Sequence, residues 1–99
     1  MYDMNHLSKL STYKKLSPDA WAAYQKFDAA AMAEGSVSAK NKQLIAIAVA
    51  HTTQYPYCIE IYVNDARKAG ATDEEIAESI FIASALCAGA AVAHGTHCF

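Results

Sequence analysis

The chain is short of charge, short of cysteine and without any long apolar run, and each shortage excludes something. Only 18% of its 99 residues are charged, as 8 basic against 10 acidic side chains with a net charge of −2. No basic stripe exists to track a phosphate backbone, so nucleic acid is not an expected partner. Three cysteines, Cys58, Cys87 and Cys98, are too few and of the wrong parity for a disulfide framework, which points to a reduced, cytoplasmic protein. The N-terminus, MYDMNHLSKL, lacks the basic-then-apolar layout of a secretory signal. The longest apolar run, Ile80 to Ala93, is 14 residues broken only by Ser84 and Gly89. A spanning helix needs about 20 apolar residues, so no membrane contact is expected.

Against these shortages stands a surplus. Apolar residues make up 54% of the sequence, and 21 of the 99 are alanine. A tail with that composition would not stay disordered. One domain of this size buries only about 60% of its surface, so part of the apolar sequence is expected to be covered by other copies of the chain.

The periodicity is helical throughout, with no strand-like alternation, repeat or linker, and the reading is all-α over a single domain, 1–99. Residues 1–16, with Leu7, Leu10, Tyr13 and Leu16, form a loose lead-in. Ser17-Pro18-Asp19 starts a helix with a capping hydroxyl, a first-position proline and an early acid. Trp21, Tyr24, Phe27 and Ala31 carry it to Gly35. Ser36 or Ser38 caps the next helix, apolar nearly all round and therefore central, which runs to about Gln54. Tyr55-Pro56 breaks it, and Pro56 opens a third helix with Ile59, Tyr62, Val63 and Ala66 on one stripe, ending at Gly70. Thr72-Asp73-Glu74-Glu75 is a capping box. The helix it opens carries Ile76, Ile80, Ala83 and a packing Cys87, and Gly89 bends or ends it before a further turn over Ala90 to His94. Residues 1–42 have a balance of +2 and residues 43–99 of −4, read as ordinary solvated faces.

Cys58 would sit in the first turn of the third helix, where free amides and the helix dipole favour a thiolate, the reactive form. The competing reading is a buried, inert thiol. His51, on an otherwise apolar helix, is either a proton-transfer group or a core histidine bonded to a carbonyl or to Tyr55. Glu60, two residues from Cys58, points away from it and reads as a surface or subunit-contact residue. The tail His94-Gly95-Thr96-His97-Cys98 lacks the second ligand pair of a structural zinc site, so no metal or other cofactor is expected.

The segment KQLIAIAVAHTTQYPYCIE (42–60), followed by KAGATDEEIAE (68–78), resembles the carboxymuconolactone decarboxylase / alkyl hydroperoxidase D-like family, and the likeness extends over roughly residues 18–97. It implies a helical fold of about five helices that assembles as a homotrimer or homohexamer. It also implies thiol peroxidase chemistry, carried by a Cys-x-x-Cys pair, an upstream glutamate and a histidine four residues after the second cysteine. Cys58 matches that second cysteine; Tyr55 stands at the first, Tyr62 at the histidine and Gln43 at the glutamate. The subgroup associated with arsenosugar biosynthesis is the most similar, sharing an acid at Glu60 and a tyrosine at Tyr62 while keeping both cysteines.

With this set, Tyr62 shares a helix face with Cys58 and can donate to a thiolate or a peroxide oxygen, although a phenol, with an ordinary pKa of about 10, is no neutral-pH shuttle. It reads equally as a core aromatic. Gln43 can orient water but cannot act as a base. His94 is a further proton-transfer candidate. The expected activity is a peroxidase-like oxidoreductase that reduces hydroperoxides through Cys58, with an external thiol as reductant. The alternatives are a catalytically lapsed oligomeric binding or scaffold subunit and, third, a lactone decarboxylase, for which no cluster of basic residues is present.

Overall fold

The computed structural model describes residues 9–53 and 56–99, with Pro56, Tyr57 and Cys58 described by backbone alone. The described residues form five α-helices and no strand: α1 (Thr12–Leu16), α2 (Pro18–Met32), α3 (Ala39–Thr52), α4 (Pro56–Lys68) and α5 (Asp73–Gly95), closed by a 3-10 turn over Thr96–Cys98. The all-α expectation holds. Within the lead-in, residues 12–16 form α1, while Leu7 lies outside the described residues.

The centre of the molecule is α3, which packs against both α4 and α5. Its Ile47 is fully buried and meets Ala66 of α4 and Ile76 of α5, with Leu44, Tyr62, Val63, Ala71 and Ile80 closing around them. Complete burial of one isoleucine contributes roughly 1.5–3 kcal/mol. Local chemistry fixes the ends of these elements. Ser38, not Ser36, caps α3 by accepting from the Asn41 amide at 3.1 Å. At the end of α4, Ala71 N donates to Ala66 O and Gly70 N to Arg67 O, the paired bonds of a Schellman turn, with Gly70 at φ +96°. Thr72 and Glu75 then complete the expected capping box, each side chain bonded to the other's backbone amide at 3.0–3.1 Å.

Several expectations are corrected. Ser17 makes no side-chain cap bond, because its backbone (φ −146°, ψ 73°) departs from the usual cap geometry. The chain leaves helical geometry after Met32, before Gly35. Helix α3 closes at Thr52, and Gln54 lies outside the described residues. Gly89 does not end its helix: α5 runs on through it to Gly95, absorbing the expected extra turn. Cys87 is exposed rather than packed. The reason is length. With a rise of 1.5 Å per residue, the 14 residues of α3 span about 21 Å and the 23 of α5 about 35 Å. The two start level, joined by Lys40 and Glu75, so the last third of α5 overhangs α3.

Val92 in the overhang is 76% exposed, and Phe81 and Leu86 ahead of it are 73 and 68% exposed. Joined into one element, Asp73–Cys98 is also long and apolar enough to cross a membrane by length and composition, a test that the 14-residue run alone does not meet. The radius of gyration is 16.3 Å, against about 13 Å for a compact chain of this length. The accessible surface is 7514 Å², about 2,000 Å² above the value for a compact protein of this mass.

Candidate functional site

The site is built on the antiparallel pair α3 and α4, joined by residues 53–55. Along α3, Gln43, Ile47 and His51 recur at four-residue steps and share a stripe; along α4, Cys58, Tyr62 and Ala66 do the same. Ile47 and Ala66 are both fully buried in one cluster, with Tyr62 packed against it, so the two stripes face each other. The side chain of Cys58 and all of Tyr55 lie outside the described residues.

His51 is half-buried, and its Nδ1 lies 2.8 Å from the Ile47 carbonyl oxygen. A carbonyl only accepts, so Nδ1 donates and the lone pair of the neutral ring sits on Nε2. Of the two readings of this histidine, the carbonyl-bonded one is realised, and the same bond leaves the other nitrogen able to accept a proton. Gln43 is half-buried at the opposite end of the stripe, and its Oε1 is buried with no hydrogen-bond partner among the described residues. An unpaired buried acceptor costs about 1–3 kcal/mol.

Beside the paired stripes a cleft of about 720 Å³ opens between α2, α3 and α4. Tyr62, Ala50 and Thr53 wall one side, and Tyr24 and Met32 of α2 the other. The lining is apolar but for few groups, among them Lys42, whose Nζ donates to the carbonyls of Ala31 and Ala33 at 2.9 and 2.6 Å and so clips the end of α2 to α3. Gln43 and His51 stand behind this wall, while Tyr62 contributes to both the core and the cleft.

The remaining candidates do not converge here. His94 is exposed in the last turn of α5, its ring edge-on to His97 at 5.1 Å. Glu60 is exposed on the outer side of α4. Among the described residues, no group of three His, Cys, Asp or Glu side chains forms a metal-binding cluster.

Lys42 and Lys40 carry structural roles that the sequence reading missed. Lys40 Nζ donates to Glu75 Oε2 at 2.9 Å and locks the start of α3 to the start of α5. A signal was present: both lysines fall in the opening turns of a helix, where the dipole disfavours cations, so their charge is better placed against groups elsewhere.

Residues 18–99 match the model of the carboxymuconolactone decarboxylase family. Over 76 residues the chain is 50% identical to a Paracoccus denitrificans protein described as uncharacterized protein 4 in the cox locus, a match covering 77% of this chain. It spans 66% of that relative, just under two thirds of its length. The fold is similar to the apo crystal structure of a carboxymuconolactone decarboxylase family protein from Legionella pneumophila, with a TM-score of 0.78 and 29% identity over 83% of this chain and 73% of that one.

Proposed function

The chain belongs to the carboxymuconolactone decarboxylase family, and from that membership we propose that it is a thiol-dependent, peroxidase-like oxidoreductase acting on hydroperoxides through Cys58. The observation that carries this reading is His51: a ring held by its Nδ1–H on the Ile47 carbonyl, with Nε2 left to accept, on the stripe that faces the one beginning at Cys58. The family's usual histidine position is Tyr62 in this chain, so His51 takes over as proton acceptor. Position 58 lies in the first turn of α4, where the dipole favours an anion.

In the proposed reaction, His51 Nε2 takes the Cys58 thiol proton and the thiolate attacks the terminal peroxide oxygen. The S–O bond forms as the O–O bond breaks, and the departing alkoxide recovers the proton from His51, leaving Cys58 as a sulfenic acid and releasing an alcohol. Two equivalents of an external thiol restore Cys58, giving water and the thiol's disulfide. Tyr62 donates to the peroxide oxygen from the wall of the cleft, and the apolar lining admits the organic part of the substrate. The site works within a homo-oligomer in the cytoplasm.

Peroxide is expected to give a dimedone-trappable adduct on Cys58 by mass spectrometry, formed about 10²-fold more slowly at pH 7 in His51→Ala. An unmodified Cys58 at peroxide levels that oxidise a free model thiol would sink the proposal. A second reading, a catalytically lapsed subunit, is favoured by Gln43, an amide that cannot act as a base. It requires a Cys58 thiol that titrates near or above 8.5, the range of an ordinary cysteine.

A further inference from the structure

We propose that the cleft between α2, α3 and α4 binds a long-chain carboxylate, its charge at Lys42 and its chain running toward Tyr62. The volume of about 720 Å³ falls within the range of small-molecule sites. Its floor is one face of α3, where Lys42, Ile45, Ala46, Val49, Ala50 and Thr53 recur at three- and four-residue spacings. Lys42 stands at one end of this face and Thr53 at the other, with apolar side chains between them.

Lys42 is the one charged side chain among the described residues of the lining, and it is half-buried. Its bonds to the Ala31 and Ala33 carbonyls use two of an ammonium's three donors. No ion pair among the described residues includes it. A cation with one donor open and no anion beside it fits a single carboxylate. A phosphate would need further side-chain donors, which the neighbouring Met32, Val37 and Ile45 do not offer.

The length of the cleft sets the length of the chain. Lys42 and Thr53 are eleven residues apart, about 16 Å along the helix axis. An extended alkyl chain advances about 1.25 Å per carbon, from bonds of about 1.5 Å and angles near 111°, so about a dozen carbons match that length. Tyr62 lies toward the Thr53 end, because α4 runs back along α3, Ala66 meets Ile47, and Tyr62 is one turn nearer the connecting loop. It also shares a face of α4 with position 58. The substrate is then a fatty-acid hydroperoxide whose –OOH lies about a dozen carbons from its carboxylate, and the product is the hydroxy acid. This placement of the peroxide rests on the thiol chemistry proposed above, whereas the carboxylate site does not.

The test uses the full chain and cis-parinaric acid, whose fluorescence rises on leaving water, with competitors kept below their micellar range. Tetradecanoate is expected to displace it at least about 10²-fold better than hexanoate, which is eight methylenes shorter. It should also act about tenfold better than tetradecanol, which lacks the charge. Lys42→Met is expected to abolish the preference for acid over alcohol, and Lys42→Arg to keep it. That preference compares two ligands on one variant, so it stays readable where loss of the clip to α2 weakens both. Val49→Trp, on the exposed part of the floor, is expected to weaken both ligands alike. Parinarate that stays unbound, as when a second copy fills the cleft, would overturn the proposal. So would equal affinity for acid and alcohol, or a preference that survives Lys42→Met. The peroxide placement is read separately, from the rate of sulfenic acid formation on Cys58. The 13-hydroperoxide of octadecadienoic acid, with about a dozen carbons between its groups, should react faster than the 9-hydroperoxide or tert-butyl hydroperoxide. Equal rates with all three would overturn the placement and leave the thiol chemistry intact. A Cys58 inert to all three, beside a Lys42-dependent preference, would refute the thiol chemistry and support the carboxylate site.

Discussion

Glu75 joins three parts of the chain with one carboxylate. Oε1 accepts from the Thr72 amide at 3.0 Å and caps α5; Oε2 accepts from Lys40 Nζ at 2.9 Å and ties α5 to α3. The Lys40 ammonium, helped by the Thr72 amide, holds the carboxyl below the usual glutamate range. A carboxylate with a lowered folded-state pKa stabilises the fold above its ordinary range, and the effect fades as pH falls through the lowered value. Native chain and Glu75→Gln should therefore differ in Tm at pH 7 and converge below about pH 4, near the ordinary glutamate pKa of about 4.3. A gap that is constant from pH 7 to pH 3 would remove the charge from the account. The capping half of this residue's role is legible in the four letters Thr-Asp-Glu-Glu, because it is local. The Lys40 half is not, since 35 residues separate the partners and only the folded packing of α3 on α5 brings them together.

Helices announce themselves through period and punctuation, and here the two signals differ in reliability. Pro18 and Pro56 open α2 and α4 as read, and Gly70 closes α4 because a positive φ is required there. Gly89 gives the same letter and a different result, since α5 passes through it in ordinary helical geometry. Nothing lies within 4 Å of a methyl built on either glycine, so substitution isolates the backbone term. Gly70→Ala is expected to destabilise the fold by about 1–2 kcal/mol, the cost of a left-handed L-residue. Gly89→Ala is expected to stabilise it by about 0.5–1 kcal/mol, by removing mid-helix glycine entropy. Denaturant titrations of the two variants should move in opposite directions, and a shared direction would refute this assignment. The site follows the same division. That positions 58 and 62 share a face of α4 is readable from their spacing, and the carbonyl-bonded reading of His51 from its place on an apolar helix, whereas His94 was drawn in by residue type alone and stands at the far end of α5.

At the scale of the molecule, the apolar surplus is accounted for by where it lies. Few large side chains are buried, while Phe27, Phe81, Leu86 and Val92 each exceed two-thirds exposure. A chain stabilised by its neighbours unfolds at a temperature that rises with concentration. Melts at 1 and 100 μM should therefore differ by several degrees, and superimposable curves would indicate that the solitary chain is self-sufficient. The overhang of α5 past α3 also has a consequence in time. Helices α3 to α5 are consecutive, so their mutual packing within one chain forms quickly. In the proposed homo-oligomer the overhanging face would gain its cover only by collision with another copy, at a rate that falls with dilution. On that proposal a newly made chain would pass through an interval, longest when copies are scarce, in which it is folded yet adhesive. Chaperones and proteases would meet this molecule in that interval.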